Sequence, residues 1–147
     1  MKEEQLHRWW LQRRRRPLAD PQKDEILRWA GHARHELNAY ASLEDCLEQR
    51  GIQWEISQRN HEVAGVRFRA QLDLNTRRLT VYAGALDELE RPHRPRKVLE
   101  RVILCHEIFH LLCPQCPSPL HEAAAHWFAA EVTGLEEFPG IWDLSTE

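Results

Sequence analysis

Val102-Ile103-Leu104-Cys105-His106-Glu107-Ile108-Phe109-His110-Leu111-Leu112 is the stretch on which the fold turns. Wound as a helix, it carries apolar residues over most of its circumference, which predicts a buried helix. Inside it stands an H-E-x-x-H pentapeptide, His106 to His110. Residues four apart on a helix are offset by about 40° and about 6 Å along the axis, so the two imidazoles aim at one point. That point suits a zinc ion, which takes histidine nitrogen at about 2.0–2.1 Å. Glu107 lies beside it, where a carboxylate can take a proton from metal-bound water. With 9 histidines and 17 glutamates in 147 residues, the bare pentapeptide arises by chance in roughly one such chain in twenty, so the flanking residues decide. Three ionisable groups on a buried helix are costly without partners, and a metal supplies them.

A zinc site of this kind needs a third protein ligand and usually keeps a fourth position for water. Candidates lie in His121-Glu122-Ala123-Ala124-Ala125-His126-Trp127-Phe128-Ala129-Ala130-Glu131. Prolines 114, 117 and 119 end the first helix and force a turn before this segment. An Ala-rich helix is predicted from about Leu120 to Thr133, stopped by Gly134. On its wheel Glu122 adjoins the arc of Ala125, Phe128, Ala129 and Val132. Alanines there allow the close helix approach that a short carboxylate needs to reach a metal. Glu122 is therefore the first choice for third ligand, with His121 and His126 as rivals.

These two segments resemble the ImmA/IrrE family of small zinc metallopeptidases, in which an H-E-x-x-H helix is followed by a helix of the type E-x-x-A-[ND]-x-F-A-A. The counterpart here is Glu122-Ala123-Ala124-Ala125-His126-Trp127-Phe128-Ala129-Ala130. The resemblance implies that His106 and His110 are metal ligands, Glu107 the catalytic carboxylate and Glu122 the third ligand. It also implies a β-hairpin ahead of the active-site helix, which Val66 to Tyr82 fits, and it covers roughly Ile52 to Val132. His126 stands where the family has Asn or Asp, the Leu-Met-Pro often seen after the second helix is absent, and the short interhelical loop carries Cys113-Pro114-Gln115-Cys116. Members often cleave or inactivate a repressor, so the resemblance implies a regulatory protein as substrate.

Length and composition fit a single domain spanning residues 1–147. Within it, residues 1–50 read as helical, 51–133 as a metallopeptidase core and 134–147 as an acidic tail. Hydrophobic residues make up 42% and charged residues 29%, ordinary for a soluble globular protein. No run of 18 apolar residues exists, which argues against a membrane span, and the N-terminus lacks the apolar core of a secretory signal. Four cysteines without a disulfide framework point to a reducing compartment, the cytoplasm. The net charge of −3 hides an asymmetry. Residues 1–19 are basic, whereas residues 101–147 set Arg101 alone against seven acids, a field that favours a cationic substrate segment.

A short helix over residues 3–12 has Leu6, Trp9 and Trp10 as its apolar face, and Arg13-Arg14-Arg15-Arg16-Pro17 ends it. Asp20-Pro21 reads as N-cap and first helical residue of a second helix. Ile26, Leu27, Ala30, Leu37 and Ala41 then predict one long helix or two short ones through Arg50, closed by Gly51. Ile52 to Ile56 and Val66 to Leu74 alternate as strands should, Asn75 to Arg78 is a turn, and Leu79 to Tyr82 is the returning strand. A basic loop with Pro92 and Pro95 leads to the motif helix.

The fold expected is α+β: a small antiparallel sheet on a two-helix, zincin-like core, covered by N-terminal helices. The function expected is Zn2+-dependent hydrolysis of a protein or peptide substrate, with Glu107 as base. Tyr82 is a candidate to polarise the scissile carbonyl, His126 to donate to the oxyanion, and Leu79 to Tyr82 to hold an extended substrate by strand addition. Alternatives are a zincin scaffold that sequesters a partner protein without cutting it, and a nucleic-acid-associated protein with a closed, structural zinc. The Arg13–Arg16 run beside Trp9 and Trp10 could contact phosphate and bases, although no helix-turn-helix is visible. Cys113 and Cys116 are ordinary thiols, an oxidisable pair, or half of a second zinc site with His121 and Cys105 or Cys46.

Overall fold

Pro95 has no N–H to lose and sits at the entrance of the motif helix, α5 (Arg96–Leu112). Leu99, Val102, Ile103, Leu104, Cys105, Ile108, Phe109 and Leu112 of α5 are all buried. The computed structural model describes residues 1–144. It is an α+β fold of six α-helices and a small mixed sheet. Residues 145–147, the end of the segment read as an acidic tail, lie outside the described residues.

Three helices precede the sheet. They are α1 (Lys2–Arg14), α2 (Asp20–Leu37) and α3 (Leu43–Gln49). Leu6, Trp9 and Trp10 form the buried face of α1, as their spacing predicts. The helix α2 starts one residue earlier than expected. Ala19 is its N-cap, and the Ala19 N–H donates to Gln22 Oε1 at 3.2 Å, leaving Asp20 as the first helical residue. The stretch through Arg50 is two helices, because Ser42 caps α3 by accepting from the Asp45 N–H at 3.0 Å. Gly51 at φ 75° ends α3. There the Ile52 N–H reaches Leu47 O at 2.8 Å and the Gly51 N–H reaches Glu48 O at 2.9 Å, the paired bonds of a Schellman motif.

Five strands follow: β1 (Gln53–Ser57), β2 (Glu62–Val63), β3 (Val66–Arg67), β4 (Ala70–Asp73) and β5 (Arg78–Tyr82). The main sheet has the order β1-β5-β4. It is mixed, not antiparallel as expected. Strand β4 returns antiparallel to β5, but β1 lies parallel to β5, with Trp54 opposite Leu79 and Ile56 opposite Val81. The most apolar strand takes the centre: Leu79 and Val81 are buried, while the flanking strands keep exposed positions. Leu79–Tyr82 is therefore an interior strand with both edges paired, and it cannot accept a substrate strand, contrary to the expectation from sequence. The predicted strand Val66–Leu74 is split at Phe68–Arg69. Upstream of the break β3 turns back on β2 through Ala64 and Gly65, both at positive φ, and downstream β4 pairs with β5. Asp73 Oδ1 accepts from the Asn75 and Thr76 N–H groups at 2.9 and 3.3 Å, which fixes the β4–β5 turn.

A short helix α4 (Ala83–Leu89), unmarked by apolar periodicity, replaces the beginning of the expected loop into α5. The helix α6 (Ser118–Thr133) begins two residues before the expected Leu120, with Pro119 in its first turn, and Gly134 caps it at φ 73°. Ala123, Ala124, Ala125, Ala129 and Ala130 are fully buried, so α6 lies close against α5 and α2. After α6, Pro139–Asp143 forms a 3₁₀ turn packed on α1 and α6. Phe138 is completely buried there, and its N–H donates to Gln5 Oε1 at 2.7 Å. The tail without periodicity is thus a strap pinned across the N-terminal helix.

Candidate metal centre

Helices α5 and α6 present their ionisable residues to one cleft of about 340 Å³. His106, Glu107 and His110 come from α5, and Glu122 and His126 from α6. Arg67 to Ala70 form one wall, and Pro139, Trp142 and Asp143 of the strap form another. The i, i+4 histidines are neighbours, with ring centroids 5.0 Å apart.

The Glu122 carboxylate spans both of them. Oε2 lies 3.0 Å from His106 Nε2, and Oε1 lies 3.5 Å from His110 Nε2. Ligand atoms held tetrahedrally at 2.0–2.1 Å from zinc stand about 3.3 Å from one another. Both Glu122 contacts are of about that length, and two imidazoles with a carboxylate are chemistry suited to a divalent metal. Two overlapping groups among the described residues could hold an ion: His106, Glu107 and His110, and His106, Glu122 and His126. His106 belongs to both.

Electrostatics follow from burial and from these pairings. Burial would raise the Glu122 carboxyl, but the hydrogen bond and charge of His106, with His110 and His126 adding, hold it down at about 2. Burial pushes Glu107 upward, partly opposed by His106, so it is a more basic carboxylate than an exposed glutamate. Burial and the charge of His106 push His110 down to about 4, which keeps its lone pair free. Burial lowers His106 too, but the hydrogen bond to Glu122 and the nearby carboxylates outweigh it, and its net shift is upward.

His126 is buried under His106, with ring centroids 4.5 Å apart. Its Nε2 is 3.7 Å from Asp143 Oδ2, and burial together with His106 brings it down to about 4. Burial acts to raise Asp143, but His126 and Arg69 outweigh it and hold this carboxyl at about 2. Arg69 Nη2 lies 2.7 Å from Asp143 Oδ1. Sequence reasoning missed Asp143 and Arg69 as members of the site, since neither sits in a motif or a periodic face. His121, a rival third ligand on the wheel, reaches the back of His110 instead: its Nε2 is 3.0 Å from His110 Nδ1.

Other candidates are not brought to the cleft. Tyr82 turns away, its hydroxyl donating to Gln71 Oε1 at 2.7 Å and its ring stacked on His61, because it shares the face of Thr80 and Gln71, opposite the buried Leu79 and Val81. Cys46, Cys105, Cys113 and Cys116 are free and buried, and no cysteine joins either candidate metal group among the described residues. Burial pushes Cys113 up to about 11 and Cys116 to about 12, so both are protonated thiols. Trp9 and Trp10 are buried, so neither offers a stacking face to a base. Arg13 and Arg14 lie over their rings, and Arg14 donates to Pro119 O at 2.6 Å. No helix among the described residues is long and apolar enough to cross a membrane. Comparison of the chain with family models, curated proteins and solved structures finds no match.

Proposed function

We propose that the chain is a zinc-dependent peptidase of the ImmA/IrrE type, built on a zincin-like core of α5, α6 and the mixed sheet. The observation that carries this reading is the Glu122 carboxylate bridging the two motif histidines at 3.0 and 3.5 Å, with Glu107 half-buried beside them in an open cleft. His106, His110 and Glu122 would hold the ion. A bound zinc ion lowers the pKa of a water toward 7 and polarises a carbonyl.

Glu107 takes one proton from the attacking water as its oxygen bonds the scissile carbon. It passes that proton to the amine nitrogen as the C–N bond breaks. The raised affinity of Glu107 for a proton suits both halves of the transfer. His126 lines the cleft with its Nε2 turned toward Asp143, so its single N–H is directed at that carboxylate and not at the reacting carbonyl, unlike the donor role expected from sequence. The strand that takes an extended substrate is β4. In its antiparallel register with β5, Arg69, Gln71 and Asp73 turn their backbone toward β5, while Ala70 and Leu72 turn theirs to the free edge. Ala70 lines the cleft, so strand addition at this edge delivers a peptide to Glu107. By analogy with the family the substrate is a regulatory protein such as a repressor, in the cytoplasm.

The competing reading is a closed structural site, favoured by the grouping of His126 with His106 and Glu122. One experiment separates them. The zinc-loaded chain is incubated with a quenched-fluorescent peptide library beside its Glu107→Gln variant. Hydrolysis by the parent, reduced about 10²–10⁴-fold in a variant that keeps its zinc, supports the peptidase. A zinc-loaded parent that cleaves nothing supports the closed site or a non-cleaving scaffold.

A further inference from the structure

Beyond the motif, the cleft contains a chain of polar groups running from the surface to the first metal histidine. Arg69, in the bend between β3 and β4, pairs with Asp143 at 2.7 Å. Asp143 in turn lies 3.7 Å from His126 Nε2. His126 packs on His106 with ring planes at 52°. Trp9 and Phe138 stand edge-on to His126, with centroids at 5.7 and 5.5 Å. At 6% exposure, the imidazole has apolar walls on these sides and one carboxylate at its Nε2.

We propose that Asp143 is a positioning residue of the metal centre: clamped by Arg69, it holds the His126 imidazole against His106. This rests on the reading of His106 as a metal ligand. An ionised carboxylate at Nε2 fixes which ring nitrogen carries the proton and which way the ring faces. A ring so fixed limits the rotation of the ligand beneath it. Groups behind metal ligands act in this way, and their loss costs about 10–100-fold in metal affinity. The strap does not depend on Asp143 for its place. Gln5 binds the Phe138 N–H at 2.7 Å, Arg94 pairs with Glu137 at 3.5 Å, and the Arg94 guanidinium covers Trp142 at 4.9 Å. Removing the charge of Asp143 therefore leaves the segment anchored.

The test compares the parent with Asp143→Asn, Asp143→Glu, His126→Asn, Glu137→Gln and, as the ligand-loss reference, His106→Ala. Zinc affinity is read by competition with a chromophoric chelator, and ligand geometry by the visible spectrum of the Co2+-loaded chain. Asp143→Asn and His126→Asn are expected to weaken zinc about 10–100-fold and to shift the Co2+ bands, and Asp143→Glu to recover most of both. Glu137→Gln, which loosens the same strap without touching His126, is expected to match the parent. Parent-like affinity and spectrum in either Asp143→Asn or His126→Asn would overturn the proposal. So would an equal loss in Glu137→Gln, which would make the effect one of strap packing. A loss in His126→Asn as complete as in His106→Ala would make His126 a ligand and also overturn it. Metal binding without peptide hydrolysis removes the peptidase reading and leaves this one to the affinities, whereas a parent that binds no metal removes both.

Discussion

His110 Nδ1 lies 3.0 Å from His121 Nε2, so a ring-to-ring hydrogen bond ties the end of α5 to the first turn of α6. A metal ion between His110 Nε2 and Glu122, which lie 3.5 Å apart, would take the Nε2 lone pair, leave the ring proton on Nδ1 and make His121 Nε2 its acceptor. A metal histidine is usually oriented by such a bond from its other nitrogen, and here a second imidazole accepts it.

The first prediction concerns the order of metal loss. On the helical wheel His121 points about 100° away from Glu122, which ranks it as the least consequential of the three candidates on α6. The hydrogen bond raises its rank. His121→Ala is expected to weaken zinc binding by about tenfold, and Glu122→Ala by much more. Chelator competition on both variants checks this. Parent affinity in His121→Ala would show that the bond does not orient His110, and a larger loss than in Glu122→Ala would overturn the ligand assignment.

How far the site was legible follows from where its residues lie. His106, Glu107 and His110 lie within two helical turns, so their convergence is a property of helix geometry. Glu122 needs only the further inference that alanines 125 and 129 let α6 approach, and both are fully buried. Asp143 lies beyond Gly134 in a segment with no period, and tertiary docking of the strap, Phe138 against Trp9 among its contacts, places it. The parallel pairing of β1 with β5 was equally hidden. Alternation marks which residues share a face, but says nothing about which neighbour a strand chooses. Tyr82 misled because its position before the motif helix implies proximity, while alternation along β5 puts it on the face opposite the buried Leu79 and Val81.

The second prediction concerns acid stability of the metal-free chain. His110 and His126 sit at about 4 in the folded protein, against 6.5 for an ordinary imidazole. The unfolded chain therefore takes up protons first, and the stability these residues contribute is present above about 6.5 and lost as pH falls toward about 4. Glu122 and Asp143, at about 2, extend the loss to lower pH. His106 opposes: its pKa is raised, so its contribution is present below 6.5 and lost as pH rises through its folded value. Two depressed imidazoles outweigh one raised. Urea midpoints of the metal-free chain are expected to fall from pH 6.5 to 4, and His126→Asn to flatten that fall by on the order of 2 kcal/mol. An unchanged slope in His126→Asn would mean that this imidazole is not held neutral in the folded state.

The third prediction contrasts two glycines. A Cβ at Gly140 would fall onto the Phe138 ring and stand 2.9 Å from Trp9 Cδ1. Phe138 is fully buried and Trp9 is 3% exposed, so neither ring has room to give. Gly140→Ala must displace the strap, at a cost of about 1–3 kcal/mol for overpacking. Asp143 is three residues farther on in the same 3₁₀ turn, so the displacement reaches His126 and weakens zinc binding as well. Gly31 is the control. It lies within α2, and nothing stands within 4 Å of a Cβ built there. Gly31→Ala relieves the backbone entropy of a helical glycine and is expected to stabilise the chain by about 0.5–1 kcal/mol. Denaturant midpoints and zinc affinities of both variants decide the matter. If Gly140→Ala leaves both at parent values, the strap has slack, and its packing against Trp9 and Phe138 does not hold Asp143 at the cleft.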